Sequence, residues 1–75
     1  MNIGKAILEA TYLLSKNGIK SSQLDSEILM SQIIKKDRKF VILNLEKKLK
    51  KSLFESFKEI IHERSCGKPI AYLTG

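Results

Sequence analysis

The sequence predicts an all-α domain, a small orthogonal helical bundle of four to five helices, and three observations carry that reading. Apolar residues recur at three- and four-residue spacings through most of the chain, the period of an amphipathic helix. Helix stop signals punctuate those stretches at Asn17-Gly18, at Asn44 and at Gly67 with Pro69. Seventy-five residues, 43% of them hydrophobic, supply one core and therefore one small domain. A chain of this size buries only about 60% of the surface its unfolded form exposes, so its packing has to be efficient.

The first helix is expected over about residues 2–16. Ile3, Ala6, Ile7, Ala10 and Leu14 make one stripe, Leu13 widens it, and Lys5, Glu9 and Lys16 fall on other faces. Gly18 can take the left-handed conformation that closes a helix, with Ile19 folding back on the last turn. Ser22 reads as the cap of the second helix, with Asp25 three residues on completing a capping box. Asp25 and Glu27 near its start and Lys35 and Lys36 near its end suit the helix dipole. Leu24, Ile28, Leu29, Met30, Ile33 and Ile34 form an apolar face too broad for a solvent-facing helix, which makes this the central helix.

Asp37 can cap a third helix over residues 38–43. The run Phe40-Val41-Ile42-Leu43 reads equally as a buried strand by pattern, but the chain offers it no partner strand. In the fourth helix Leu49, Leu53, Phe57, Ile60 and Ile61 share a face, with Phe54 and Arg64 at its margins. Lys51, Glu55, Glu59 and Glu63 lie on its wet side. Residues 1–67 are thus expected to form the domain, and residues 68–75 the start of an extended linker. That last stretch is apolar with nothing to cover it, so Met1 reads as a true start and more chain is expected beyond Gly75.

Several function classes are disfavoured. No stretch approaches the roughly 20 apolar residues of a membrane span, and Lys5 and Glu9 interrupt any signal-peptide pattern. Cys66 is the only cysteine, which rules out an intrachain disulfide and suits a reducing, cytoplasmic setting. The net charge of +6 is concentrated. From Lys35 to Lys51 run eight cations (Lys35, Lys36, Arg38, Lys39, Lys47, Lys48, Lys50 and Lys51) against Asp37 and Glu46, while the rest of the chain balances at zero. Such a segment can steer a domain toward RNA or an acidic protein surface. Twelve Lys, two Arg and ten Ile equally fit a genome biased toward Lys and Ile codons that decorates wet helix faces with lysine.

The residues assemble no reactive constellation. The four glycines are isolated, with no phosphate or nucleotide loop among them. His62 and Cys66 share a helix face at i, i+4, but zinc needs three or four protein ligands and a Cys–His nucleophile needs an orienting third group. Carboxylates fall at cap and solvent positions, as caps and surface ion pairs. Tyr12, Phe40, Phe54, Phe57 and Tyr72 read as core. No catalytic, cofactor-binding or metal residue is assigned.

Two stretches resemble the PrmC/HemK family of release-factor glutamine methyltransferases. The more specific is Glu63-Arg64-Ser65-Cys66-Gly67-Lys68-Pro69-Ile70-Ala71-Tyr72-Leu73-Thr74-Gly75, similar to the family's Arg-rich helix end followed by Gly-Glu-Pro-(Ile/Leu)-Ala-(Tyr/His)-(Leu/Ile)-(Thr/Leu)-Gly. The weaker is Asp25-Ser26-Glu27-Ile28-Leu29-Met30, similar to Asp-Ala-Glu-x-Leu-Leu. Lys68 stands where the family usually has Glu, Ser65 where a further Arg is common, and Lys50 where a Ser, Thr or Asp cap is common. The resemblance covers nearly the whole chain. It implies a helical N-terminal recognition domain joined to a Rossmann-like domain that binds S-adenosylmethionine and methylates the glutamine of a release factor's Gly-Gly-Gln loop. The expected partner is that release factor and the expected state a monomer. The alternative is a small basic nucleic-acid-binding module using Lys35 to Lys51. Against it, the lysines are not interleaved with base-reading residues on one helix.

Overall fold

Helix α1 (Ile3–Lys16) begins where the side chain of Asn2 accepts from the Lys5 amide at 2.8 Å. All five residues of its predicted stripe, Ile3, Ala6, Ile7, Ala10 and Leu14, are buried. Leu13 stands at the margin of the stripe, partly exposed beside Ala6 and Ala10, whereas Tyr12 is exposed to solvent. Gly18 closes the helix at φ +82°, with its amide on the Ser15 carbonyl and the Ile19 amide on Leu14, so Ile19 folds back as expected. The computed structural model describes all 75 residues: five helices and no strand.

Helix α2 (Ser22–Ile34) differs most from expectation. Its cap position is Ser21, and no side chain caps the first turn. The Ser21 hydroxyl donates instead to Asp25 Oδ2 at 3.0 Å, because Asp25 is drawn inward toward another helix. The buried face is Asp25, Ser26, Leu29 and Met30. Leu24 is exposed and Ile28, Ile33 and Ile34 only half-buried, so polar residues occupy part of the face expected to be apolar. Ser26 is accommodated there because its hydroxyl donates to the Ser22 carbonyl at 2.8 Å. The helix is nevertheless central, touching each of the other four.

Neither Lys35 nor Lys36 belongs to α2. Lys35 turns left-handed at φ 59° and closes it, the position glycine usually fills. Lys35→Gly should therefore raise stability by about 0.5–1 kcal/mol, read by chemical denaturation. A loss of stability would show that the turn carries no strain.

Helix α3 (Arg38–Leu43) has the predicted bounds, and the Asp37 carboxylate accepts from the Phe40 amide at 2.8 Å. Val41 is its one fully buried side chain. Beyond it the chain returns to α1: the Ile3 and Gly4 amides donate to the Lys47 and Leu45 carbonyls, and Asn2 bridges Lys48. A Cβ on Gly4 would meet the Leu45 carbonyl at 3.1 Å, so a glycine lets the two backbones approach. Leu49 therefore reaches the core from this paired stretch and not from the fourth helix, as expected from periodicity.

Helix α4 (Lys51–Ser65) starts at Lys50 without a side-chain cap and buries Phe57 and Ile61. Residues expected to be extended form a last turn, α5 (Ile70–Thr74), after Pro69. Helical i, i+3 spacing lets Ile70 and Leu73 pack together against the core, which an extended chain would have left uncovered. The Gln32 side chain donates to the Thr74 carbonyl, fastening the turn to α2. Tyr72 points outward and, like Tyr12, is not a core residue. No helix is long and apolar enough to cross a membrane.

Candidate binding surface

The side chains with reactive potential are not gathered into a site. His62 Nε2 and Cys66 Sγ lie 3.6 Å apart on the exposed end of α4, and no group of three or more His, Cys, Asp or Glu converges on a point. What the fold builds is a rigid frame carrying two unlike surfaces.

The frame is fastened by a buried ion pair that was not legible from local sequence. Asp25 on α2 is 4% exposed and its Oδ2 accepts from Arg64 Nε of α4 at 3.0 Å. Arg64 also donates from Nη1 to the Lys68 carbonyl at 3.0 Å. One guanidinium thus joins α2, α4 and the turn into α5. Close by, Lys68 Nζ meets Glu63 Oε1 at 2.6 Å, and that hydrogen bond, reinforced by the carboxylate charge, raises the Lys68 pKa above its ordinary 10.5. Any stability from this contact is fully present below 10.5 and disappears as pH rises through the raised value. The unusual lysine thereby finds a carboxylate five residues back, across the turn at Gly67 that ends α4.

The first surface is the seam between α1 and α4. Ala6, Ala10, Leu13, Phe54, Phe57 and Ile61 line a hollow of about 360 Å³ with Glu9, Lys58 and His62 at its rim. Outside it, Glu55, Glu59 and Glu63 surround Lys58 and His62 along the outer face of α4.

The second surface is basic. Ile3, Ile34, Phe40, Leu49 and Leu53 floor a groove of about 190 Å³, and Lys36, Lys47, Lys48 and Lys50 stand around it. The Lys36 and Lys47 ammonium groups sit over the Phe40 ring at 5.4 and 5.3 Å. None of the lysines between 35 and 51 is in an ion pair; in that segment only Arg38 is, with Glu27 at 3.1 Å. Asp37 is occupied as the α3 cap. The lysine charge concentrated in this segment is therefore not neutralised by ion pairs in the fold. Sequence flagged the segment but not the groove, whose floor comes from α1, α2, α3, α4 and the stretch between the last two.

A model of the PrmC N-terminal domain family matches residues 5–75. The chain is 36% identical over 73 residues to a release factor glutamine methyltransferase of Buchnera aphidicola subsp. Acyrthosiphon pisum, covering 97% of this chain and 26% of that protein. It is 34% identical over 74 residues to a bifunctional methyltransferase of Rickettsia conorii, covering 99% of this chain and 14% of the relative. A release factor glutamine methyltransferase of Leptospira interrogans is 38% identical over 61 residues, 81% of this chain and 21% of that protein. The chain thus spans about a quarter or less of the length of these relatives. No solved structure matches.

Proposed function

The chain belongs to the PrmC N-terminal domain family, and from that premise we propose that it is the substrate-recognition domain of a release factor glutamine methyltransferase. The observation that carries this reading is the likeness running from residue 5 to residue 75 toward relatives several times longer that bear that name. In this reading the domain grips the release factor away from the reacting glutamine. Binding energy gained at a remote surface then helps hold a weakly nucleophilic amide nitrogen in line with a methyl donor, a positioning effect. The donor, S-adenosylmethionine, does not fit this domain. Gly18 and Gly67 close helices and Gly4 abuts Leu45, so no glycine loop is free to cradle it, and no sheet edge presents one. We place its site, and the chemistry, in the remainder of the parent protein, a cytoplasmic monomer.

Rigidity supports the role. A frame tied by Asp25–Arg64 and closed by α5 presents its surface with little ordering cost on binding. Adding a bacterial release factor to the 15N-labelled chain should shift a contiguous set of surface amides. An unperturbed spectrum at saturating release factor would refute the recognition role, and methyl transfer by the 75-residue chain alone would refute the division of labour.

A further inference from the structure

We propose that the lysine-rimmed groove receives an acidic segment of the protein substrate, carboxylates on Lys36, Lys47 and Lys48 and an aliphatic side chain on the floor of Ile34, Leu49 and Leu53. This inference rests on the recognition reading above and specifies where and by what chemistry recognition happens.

Charge complementarity selects the face. The hollow along the outer side of α4 sets three carboxylates against Lys58 and so repels an anion, and the α1–α4 seam balances Glu9 with Lys58, so neither draws a negatively charged partner. The groove has four lysines and no carboxylate among its lining residues. A partner carrying negative charge is steered to that end of the domain, over a range of about 10 Å at 0.1 M salt.

The floor then distinguishes among anionic partners. Five hydrophobic residues underlie the ammonium groups, so a ligand that carries both carboxylates and an apolar side chain satisfies the whole groove. A nucleic acid would prefer other equipment. Both arginines, the residues best shaped for phosphate, are already committed, Arg38 to Glu27 and Arg64 to Asp25. The groove's one aromatic ring, Phe40, already carries two ammonium groups and is only half-exposed, a poor platform for stacking bases. Lysine stems can also lie along an apolar floor while their charges reach outward, which suits an amphipathic peptide.

The test compares the wild-type chain with Lys36→Glu/Lys47→Glu and with the milder Lys36→Gln/Lys47→Gln. Both side chains are exposed, and matching amide spectra establish that the variants remain folded. Each protein is titrated with a release factor, with a short alternating Glu–Leu peptide, with its Gln–Leu counterpart and with single-stranded RNA of equal length. The wild type should prefer the Glu–Leu peptide, with shifts at residues 34–36 and 47–53. The charge-reversed variant should bind both that peptide and the release factor on the order of tenfold more weakly, and the Gln variant should fall between. Equal binding of the two peptides, or tighter binding of RNA, overturns the proposal. Unchanged release-factor affinity in the variants overturns the groove while leaving the recognition reading intact. Selective peptide binding without any release-factor binding supports the groove's chemistry and removes the recognition reading.

Discussion

Replacing Arg64 by methionine should destabilise the domain by about 3 kcal/mol or more, the cost of leaving a buried carboxylate without its cation. Asp25 is 4% exposed and accepts two hydrogen bonds, from Arg64 Nε and from the Ser21 hydroxyl, each at 3.0 Å. Methionine fills similar volume but leaves only the hydroxyl to face the charge. The Arg64 side chain keeps 19% of its surface, so some water reaches the pair and the cost falls toward the lower end of the range for buried pairs. The same change releases the Lys68 carbonyl and loosens the entry to α5. Urea denaturation measures the loss, and Asp25→Asn measured beside it separates charge from shape. Asn keeps an acceptor for both donors, and the cation it leaves without a counter-charge, Arg64, is the better solvated partner and still donates to the Lys68 carbonyl. Asp25→Asn should therefore cost less than Arg64→Met, and adding it to Arg64→Met should recover part of the loss. Equal stability of Arg64→Met and wild type would mean that the pair is solvated and fastens nothing.

How legible this pair was explains much of what the sequence revealed and what it hid. Interactions within one helical turn were readable: the α1 stripe, the Asp37 cap on Phe40 and the Gly18 closure all have the expected residues in the expected roles. Each depends on neighbours three to five positions away, where chain geometry fixes who meets whom. Asp25 shows the limit. By local pattern it belongs to a capping box, but its partner lies 39 residues away, and a tertiary ion pair outranks a local amide. The exit after Pro69 fails for the same reason. Local signals there indicate an extended chain, while Ile70 and Leu73 gain more by coiling onto the core. Tyr12 and Tyr72 lie outside the core expected for aromatic rings, because a domain this small has too little interior for every one of them.

The basic groove was half legible. Counting charges locates the segment 35–51, but a groove needs a floor, and Ile3, Ile34 and Leu53 come from three different helices. Two backbone events that charge counting cannot anticipate place the rim. The left-handed turn at Lys35 ends α2 before Lys36, and pairing of Asn2 with Lys48 lays residues 47–49 beside α1. The surface is thus a product of chain closure, and its stability is inherited from the core beneath it.

That dependence makes Phe57→Ala the most damaging substitution of a single apolar residue. Phe57 is the largest fully buried side chain, 1% exposed, and lines the α1–α4 seam with Ile61 where Ala6 and Ala10 of α1 present only methyl groups. Those small residues cannot move in to fill the space, so the lost transfer energy is joined by a cavity term. The expected cost is about 3–5 kcal/mol. A domain of this length holds only about 4–11 kcal/mol in total, so the variant should melt about 12–40 °C below wild type. Tyr12→Ala provides the contrast, since a ring of similar size that is 70% exposed should change stability by about 0.5 kcal/mol at most. Thermal unfolding of the two variants side by side tests whether burial or aromatic character sets the cost. Similar losses at both positions would contradict the packing described here. A large loss at Phe57 alone, with the amides of the lysine groove broadening in the same variant before global unfolding, would show that the core beneath the groove holds the binding face in shape.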